Sequence, residues 1–304
     1  MDTMRERFAA TTTELLERDP RLVVILADIG EALLATAAAR HPARVVNVGI
    51  REQLMVSVAG GFALAGFRPI VHSYAPFAVE RPYEQIKLDL GHQDVGAVLV
   101  SIGASYDTAA NGRTHQAPAD VMLIGGLPGW DILVPGHPDE ADTLLRTSAA
   151  GDGRVYLRLS EQRNAQGRQI EAGRMTVIRR GAAATIVAVG PLLDAVLAAV
   201  ADLDVTVLYV TTVRPFDAAT LRATLGAPVV ILVEPYLAGT SSAAVSEALD
   251  DVPHRLLAIG VPNVEHRRYG TWQQHNAAHG LDERGIRERV CAFLALPRAG
   301  GPSA

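Results

Sequence analysis

The stretch "RVVNVGIREQLMVSVAGGFALAGF", residues 44–67, decides how this chain is read. A β-branched run at 44–49 ends in glycine, and a long apolar run fills 54–67. Between them stand three polar residues, Arg51, Glu52 and Gln53. A buried strand feeding directly into an apolar helix is the unit of a parallel sheet covered by helices. The apolar run is shorter than the ~20 residues of a membrane span and is rich in Gly and Ala, so it predicts a buried helix over 51–66. Glu52 then falls in the first turn. Two readings of it are open. The helix dipole favours an acid there, with Arg51 as an ion-pair partner. Alternatively, a carboxylate held in apolar surroundings is suited to sharing a proton with a bound heterocycle.

The same alternation extends outward in both directions. Strands are predicted at 21–27, 44–49, 68–73, 95–102, 131–135 and 154–159, with helices at 51–66, 78–90 and 138–149. Pro138 suits a first helical position, and the acids after it suit the dipole. Periodicity stops at 160–174, which reads as a linker. A second series follows, with strands at 183–190, 204–210, 228–234 and 254–260 and helices near 191–202, 217–224 and 240–250. The expected fold class is α/β, with two consecutive open, largely parallel-sheet domains at residues 1–165 and 175–304. The opening "MDTMRERFAATTTELLERDP" reads as an amphipathic helix ending near Pro20 rather than a leader, and the tail "RAGGPSA" as disordered.

Composition narrows the function. The 304 residues are 49% hydrophobic and 20% charged, the balance of a globular protein. A net charge of −5 without any Lys/Arg block argues against nucleic acid as a partner, and no run is long enough to span a membrane. A single cysteine, Cys291, leaves no internal disulfide and no cysteine cluster for zinc or iron–sulfur chemistry, which points to a reducing, cytoplasmic setting.

Two further segments hold residues with chemical potential. "AANGRTHQAPAD", 109–120, follows the predicted strand 95–102, and loops at the carboxyl ends of parallel strands are where open α/β sheets bind ligands. His115 in that loop is placed for a proton shuttle or an oxyanion donor, or is simply a surface histidine. "HSYAPFAVERPYEQIKLDL", 72–90, gathers Tyr74, Phe77 and Tyr83 in a chain only 5% aromatic. These rings either pack the core or offer a face to a planar ligand. Two superficial motifs are set aside. "GDG" at 151–153 lies in the turn before the strand 154–159. "GTSSAAVSEAL" at 239–249 has neither Gly-x-Gly-x-x-Gly spacing nor a Walker lysine and reads as a helix start.

In this order and spacing, "NVGIREQ", "FRPIVHSYAPFAVERPYEQI" and "NGRTHQAPAD" resemble the transketolase family. "TVRPFDAATL" and "VILVEPYLAGTSSAAVSEAL" resemble the carboxy-terminal domain of transketolase and deoxyxylulose-phosphate synthase. The resemblance covers essentially the whole chain. It implies thiamine diphosphate as cofactor, held between a pyrimidine module, which this chain resembles, and a diphosphate module, which it does not contain. It therefore implies a split enzyme, in which a partner subunit carries the diphosphate module and its Mg2+ and the pair assembles as a heterotetramer.

By the same resemblance, Glu52 bonds the pyrimidine ring nitrogen and favours its imino tautomer. Phe77 stacks on that ring with Tyr74 beside it, His115 is the active-site histidine, and Asp28 matches a further cofactor position. Asn111, Gln116, Arg5 and Arg158 are the implied substrate residues. The chain departs from the family pattern at Asn111 and Ala119, where acids are usual, at Glu161, where a phosphate-gripping Arg is usual, and at Ala32, where a Ser is usual. A carboxylate in place of a cation opposes a sugar phosphate, unless Arg158 or Arg163 substitutes. The implied activity is transfer of a two-carbon ketol or acyl unit to or from a non-standard small-molecule substrate. A 2-oxo acid dehydrogenase beta subunit and a non-catalytic assembly half are the alternatives.

Overall fold

The computed structural model describes residues 3–296; the tail expected to be disordered lies outside the described residues. Helix Met4–Arg18 opens the fold, closed at its start by a capping box in which Thr3 and Glu6 satisfy each other's backbone N–H. Two sheets follow. The first contains β1 (Leu22–Leu26), β2 (Val45–Asn47), β3 (Arg68–Tyr74), β4 (Val98–Ile102), β5 (Trp130–Leu133) and β6 (Arg154–Arg158). The second contains β7 (Thr176–Arg179), β8 (Thr185–Val189), β9 (Thr206–Val210), β11 (Val229–Leu237) and β12 (Arg255–Val261). A short strand between β9 and β11, β10 (Thr212–Arg214), crosses back to the first sheet.

The first sheet runs in the order β10-β5-β6-β4-β3-β1-β2, and the second in the order β12-β11-β8-β9-β7. All pairings are parallel except β10 with β5 and β7 with β9. The chain leaves β1 to one side for β2 and returns to the other side for β3. This reversal opens a crevice at the carboxyl ends of the strands, the usual ligand position in such sheets. β1, β4 and β8 are buried at every residue, as largely apolar, Val/Ile/Leu-rich runs in a sheet covered on both faces must be.

The predicted strands and helices are present, with three differences. The strands β7 and β10 and the helices Trp272–His279 and Glu283–Ala295 lie outside the predicted elements: both strands are short and Trp272–His279 has little apolar face, whereas Glu283–Ala295 carries an apolar stripe through Ile286 and Val290 that the sequence did offer. The two units are also less separate than consecutive domains: β10 lies on the β5 edge, and one hydrophobic cluster runs from Val23 and Met55 to Leu232 and Val245. Finally, the helix expected at 78–90 is a succession of wide π-type turns, Pro76–Glu80 and Ile86–His92, on either side of Tyr83–Gln85. Pro82 breaks the regular ladder here, and such wide turns often mark functional sites.

The loop at 239–241 has a structural occupant. The buried Glu234 carboxyl group accepts the backbone N–H groups of Gly239 (3.1 Å) and Ser241 (3.0 Å), filling the cradle with one of the chain's own side chains. Burial outweighs those hydrogen bonds and pushes Glu234 up from 4.5 to about 7. The native state therefore holds a proton that the unfolded chain has already released. Stability from this group is present below about 4.5 and is lost as pH rises through about 7, an effect on the order of 3 kcal/mol. Urea midpoints at pH 5 and pH 8 are expected to fall less steeply in Glu234→Gln than in the parent; parallel declines would refute this.

Candidate active site

Glu52 begins the helix Glu52–Leu64, immediately beyond β2, and its residue is only 3% exposed. Its partner is not the adjacent Arg51. Arg81, from the wide turn after β3, donates from Nη1 to Glu52 Oε1 at 2.7 Å. The Arg81 guanidinium carbon also lies 3.8 Å from the centroid of the Phe77 ring. Phe77 and Arg81 are four residues apart on a helical turn, the spacing that brings side chains onto one face. That spacing was the available signal for Arg81, which sequence reasoning passed over in favour of the aromatics.

His115 completes the cluster. Its ring lies edge-on to Phe77 (centroids 5.0 Å apart) and to Tyr74 (5.6 Å), and Tyr74 is edge-on to Phe77 at 6.0 Å. Burial and then the Arg81 charge lower the pKa of His115, favouring neutral imidazole. Its Nδ1 faces the Thr114 hydroxyl at 3.0 Å. The His115 loop is fastened from the second half of the chain: Arg113 pairs with Glu265 (3.1 Å) and Tyr269 packs against Gly112. Gly103, at φ +70°, permits the β4 loop to pass Tyr74, because a Cβ there would sit 2.5 Å from the ring.

A cleft of about 620 Å3 opens beside Tyr74 at the carboxyl ends of β3, β4 and β6. Arg5, Glu6, Glu161, Arg163 and Trp272 line it. Burial raises the pKa of Glu161 against the opposing charge of Arg5. Arg5 Nε is buried without a hydrogen-bond partner.

The structure thus links Glu52 to Phe77 through Arg81 and sets Tyr74 and His115 edge-on to Phe77, with Arg5 in the cleft beside Tyr74. The other named residues fare differently. Arg158 is corrected: its side chain is 1% exposed, its Nε donates to Asp120 (2.7 Å) and its Nη2 to Ser105 (2.7 Å), so it braces the core instead of meeting substrate. Gln116 is also buried, and its amide donates to the Arg268 carbonyl at 3.1 Å, holding the 262–270 segment over the His115 loop. Asn111 is exposed at the end of the turn Ala109–Asn111. Asp28 is exposed at φ 70°, its N–H bonded to Asn47 Oδ1 (3.0 Å). Among the described residues no three His, Cys, Asp or Glu side chains converge as metal donors, and no helix is long and apolar enough to cross a membrane.

Comparison with known proteins places the chain in a family. Residues 2–166 match the family described as "Transketolase, pyrimidine binding domain", and residues 173–286 match "Transketolase, C-terminal domain". An "Uncharacterized 33.6 kDa protein in fasciation locus" from Rhodococcoides fascians is 53% identical, over 94% of this chain and 93% of the relative. The 6-deoxy-6-sulfo-D-fructose transketolase subunit SqwH of Clostridium sp. (strain MSTE9) is 28% identical, covering 85% of this chain and 84% of that one. A 1-deoxy-D-xylulose-5-phosphate synthase of Bordetella avium (strain 197N) is 32% identical over 96% of this chain, which spans 49% of that enzyme. A solved split-gene transketolase, described as an inactive beta4 tetramer, superposes with a TM-score of 0.84 at 26% identity, covering 97% of this chain and 99% of that one. With its pyrimidine-binding and carboxy-terminal domains in this order, the chain belongs to the transketolase family.

Proposed function

We propose that this chain is the pyrimidine-binding subunit of a two-component, thiamine-diphosphate-dependent transketolase-type enzyme that transfers a two-carbon unit. The observation that carries the reading is the slot at Glu52: a buried carboxylate and an aromatic face, already spanned by a planar nitrogen group, the Arg81 guanidinium. An aminopyrimidine presents the same kind of edge and face, so the residues fit the pyrimidine half of the cofactor. When bound, thiamine diphosphate supplies a carbon nucleophile and an electron sink for carbon–carbon bond cleavage. In this reading Glu52 bonds the ring nitrogen and Phe77 stacks on the ring. His115 holds or delivers a proton at the substrate oxygen, and Tyr74 shapes the mouth of the cleft.

The diphosphate and Mg2+ are assigned to a partner subunit. The outer face of the helix that begins at Glu52 supports this, because Leu54, Gly61 and Leu64 are exposed along it and Ile50 stands 72% exposed just before it. Exposed apolar side chains beside such a site suit a partner that completes it. SqwH is by its name a subunit, and the split-gene neighbour is an inactive tetramer of beta chains alone, which supports self-association of this chain; a heterotetramer with the partner subunit is the assembly proposed for the active enzyme. In the cleft the two cations Arg5 and Arg163 are offset by the two carboxylates Glu6 and Glu161, and that balance supports a small-molecule substrate less strongly anionic than an ordinary pentose phosphate.

Co-purification with a diphosphate-module protein, followed by thiamine diphosphate titration of the pair and of the lone chain, tests the reading. Binding is expected to be tight only in the pair. Leu54→Asp is expected to reduce pair formation at least tenfold in a sedimentation assay while leaving the fold intact by circular dichroism. Stoichiometric tight binding by the lone chain would overturn the two-component reading.

A further inference from the structure

The Glu52–Arg81–Phe77 triad holds more than an ion pair. Guanidinium is planar, carries N–H donors along an N–C–N edge and stacks well on aromatic faces. Arg81 uses both properties at once, donating to Glu52 at 2.7 Å while its guanidinium carbon stands 3.8 Å from the Phe77 centroid. Those are the two contacts that the proposed function gives to the aminopyrimidine, and one carboxylate edge and one ring face cannot serve both groups in the same place. The side chain of Arg81 is 44% exposed, so it has solvent to swing into. Its backbone stays anchored, because the Arg81 carbonyl accepts the Gln53 side-chain amide at 3.3 Å.

We propose that Arg81 is a self-ligand: in the unassembled chain its guanidinium fills the pyrimidine slot, and a planar nitrogen heterocycle enters only by displacing it from Phe77 and Glu52. This inference rests on the thiamine reading of the site. It assigns a gate to a residue that sequence analysis did not single out. It also gives the exposed slot of a lone subunit a built-in occupant, which satisfies the buried Glu52 carboxylate until cofactor arrives. The helix bearing Glu52 is the one whose outer face awaits the partner. Docking there therefore favours release of Arg81 if it shifts that helix start against the wide turn carrying residue 81.

The test uses the full chain without its partner and the free pyrimidine fragment, 4-amino-5-hydroxymethyl-2-methylpyrimidine, as probe, with binding read by calorimetry or ligand-observed NMR. Arg81→Ala is expected to bind the fragment at least fivefold more tightly than the parent chain. Arg81→Lys, which keeps the charge but loses the planar stack, is expected to fall between them. Circular dichroism of both variants guards against misfolding, and the Lys variant preserves a cation for Glu52. Equal or weaker binding in Arg81→Ala, or no binding by either variant, overturns the self-ligand and leaves the thiamine reading standing. Failure of the assembled pair to bind thiamine diphosphate overturns that reading, and the inference with it.

Discussion

Glu52→Gln in the assembled enzyme is expected to lower turnover by about 10²–10⁴-fold, the range associated with losing a positioned acid–base group. The substitution conserves shape, and a Gln oxygen still accepts the hydrogen bond that Arg81 makes at 2.7 Å. Folding and pair formation should therefore be close to those of the parent. What Gln cannot do is gain or lose a proton at the pyrimidine nitrogen. Steady-state kinetics of the pair, with thermal melts as the control, separate the two effects. Turnover equal to that of the parent would return the chain to an assembly role.

The second large effect lies in the core. Arg158 and Asp120 are almost wholly enclosed and meet at 2.7 Å; Asp120 also accepts the Tyr156 hydroxyl at 2.7 Å. Arg158 reaches on to Ser105, whose hydroxyl donates to the Pro235 carbonyl at 2.6 Å, so one network ties β6, the helix Asp120–Gly125 and β11 together. Removing one member of a buried pair strands the other charge, which typically costs about 3–5 kcal/mol. Asp120→Ala should lose that much in urea denaturation, a large share of a typical ~5–15 kcal/mol stability. The paired change Asp120→Leu with Arg158→Met should recover most of it. A single variant as stable as the parent would refute the argument.

Much of this was legible in the sequence because both determinants of the sheets are local. Val/Ile/Leu-rich runs at β1, β4 and β8 announce strands covered on both faces, and the Gly, Pro and polar breaks between them announce turns. Glu52 stood out as a carboxylate within an apolar run, and Phe77 and His115 through the motifs that resemble the transketolase family; folding brings Phe77 and His115 within 5.0 Å while Arg81 bridges Phe77 to Glu52. The partners of those residues were not legible. Glu52 selects Arg81, 29 positions away, over its neighbour Arg51. Arg158 looked available to substrate because nothing in "RVYLRL" reveals that Asp120 stands opposite it. Charge pairing across a fold depends on which loops the topology brings together, and one sequence does not encode that in any window.

β10 bears on how the protein is made. Residues 212–214 pair against β5 at the border of a sheet otherwise built from residues before 159, so on the ribosome that border stays bare until residues 212–214 have been made. An uncovered strand edge is a template for pairing with a neighbouring nascent chain. Translation past Arg214 therefore closes an aggregation hazard, and a fragment released at the apparent domain boundary would carry that open edge for its whole lifetime.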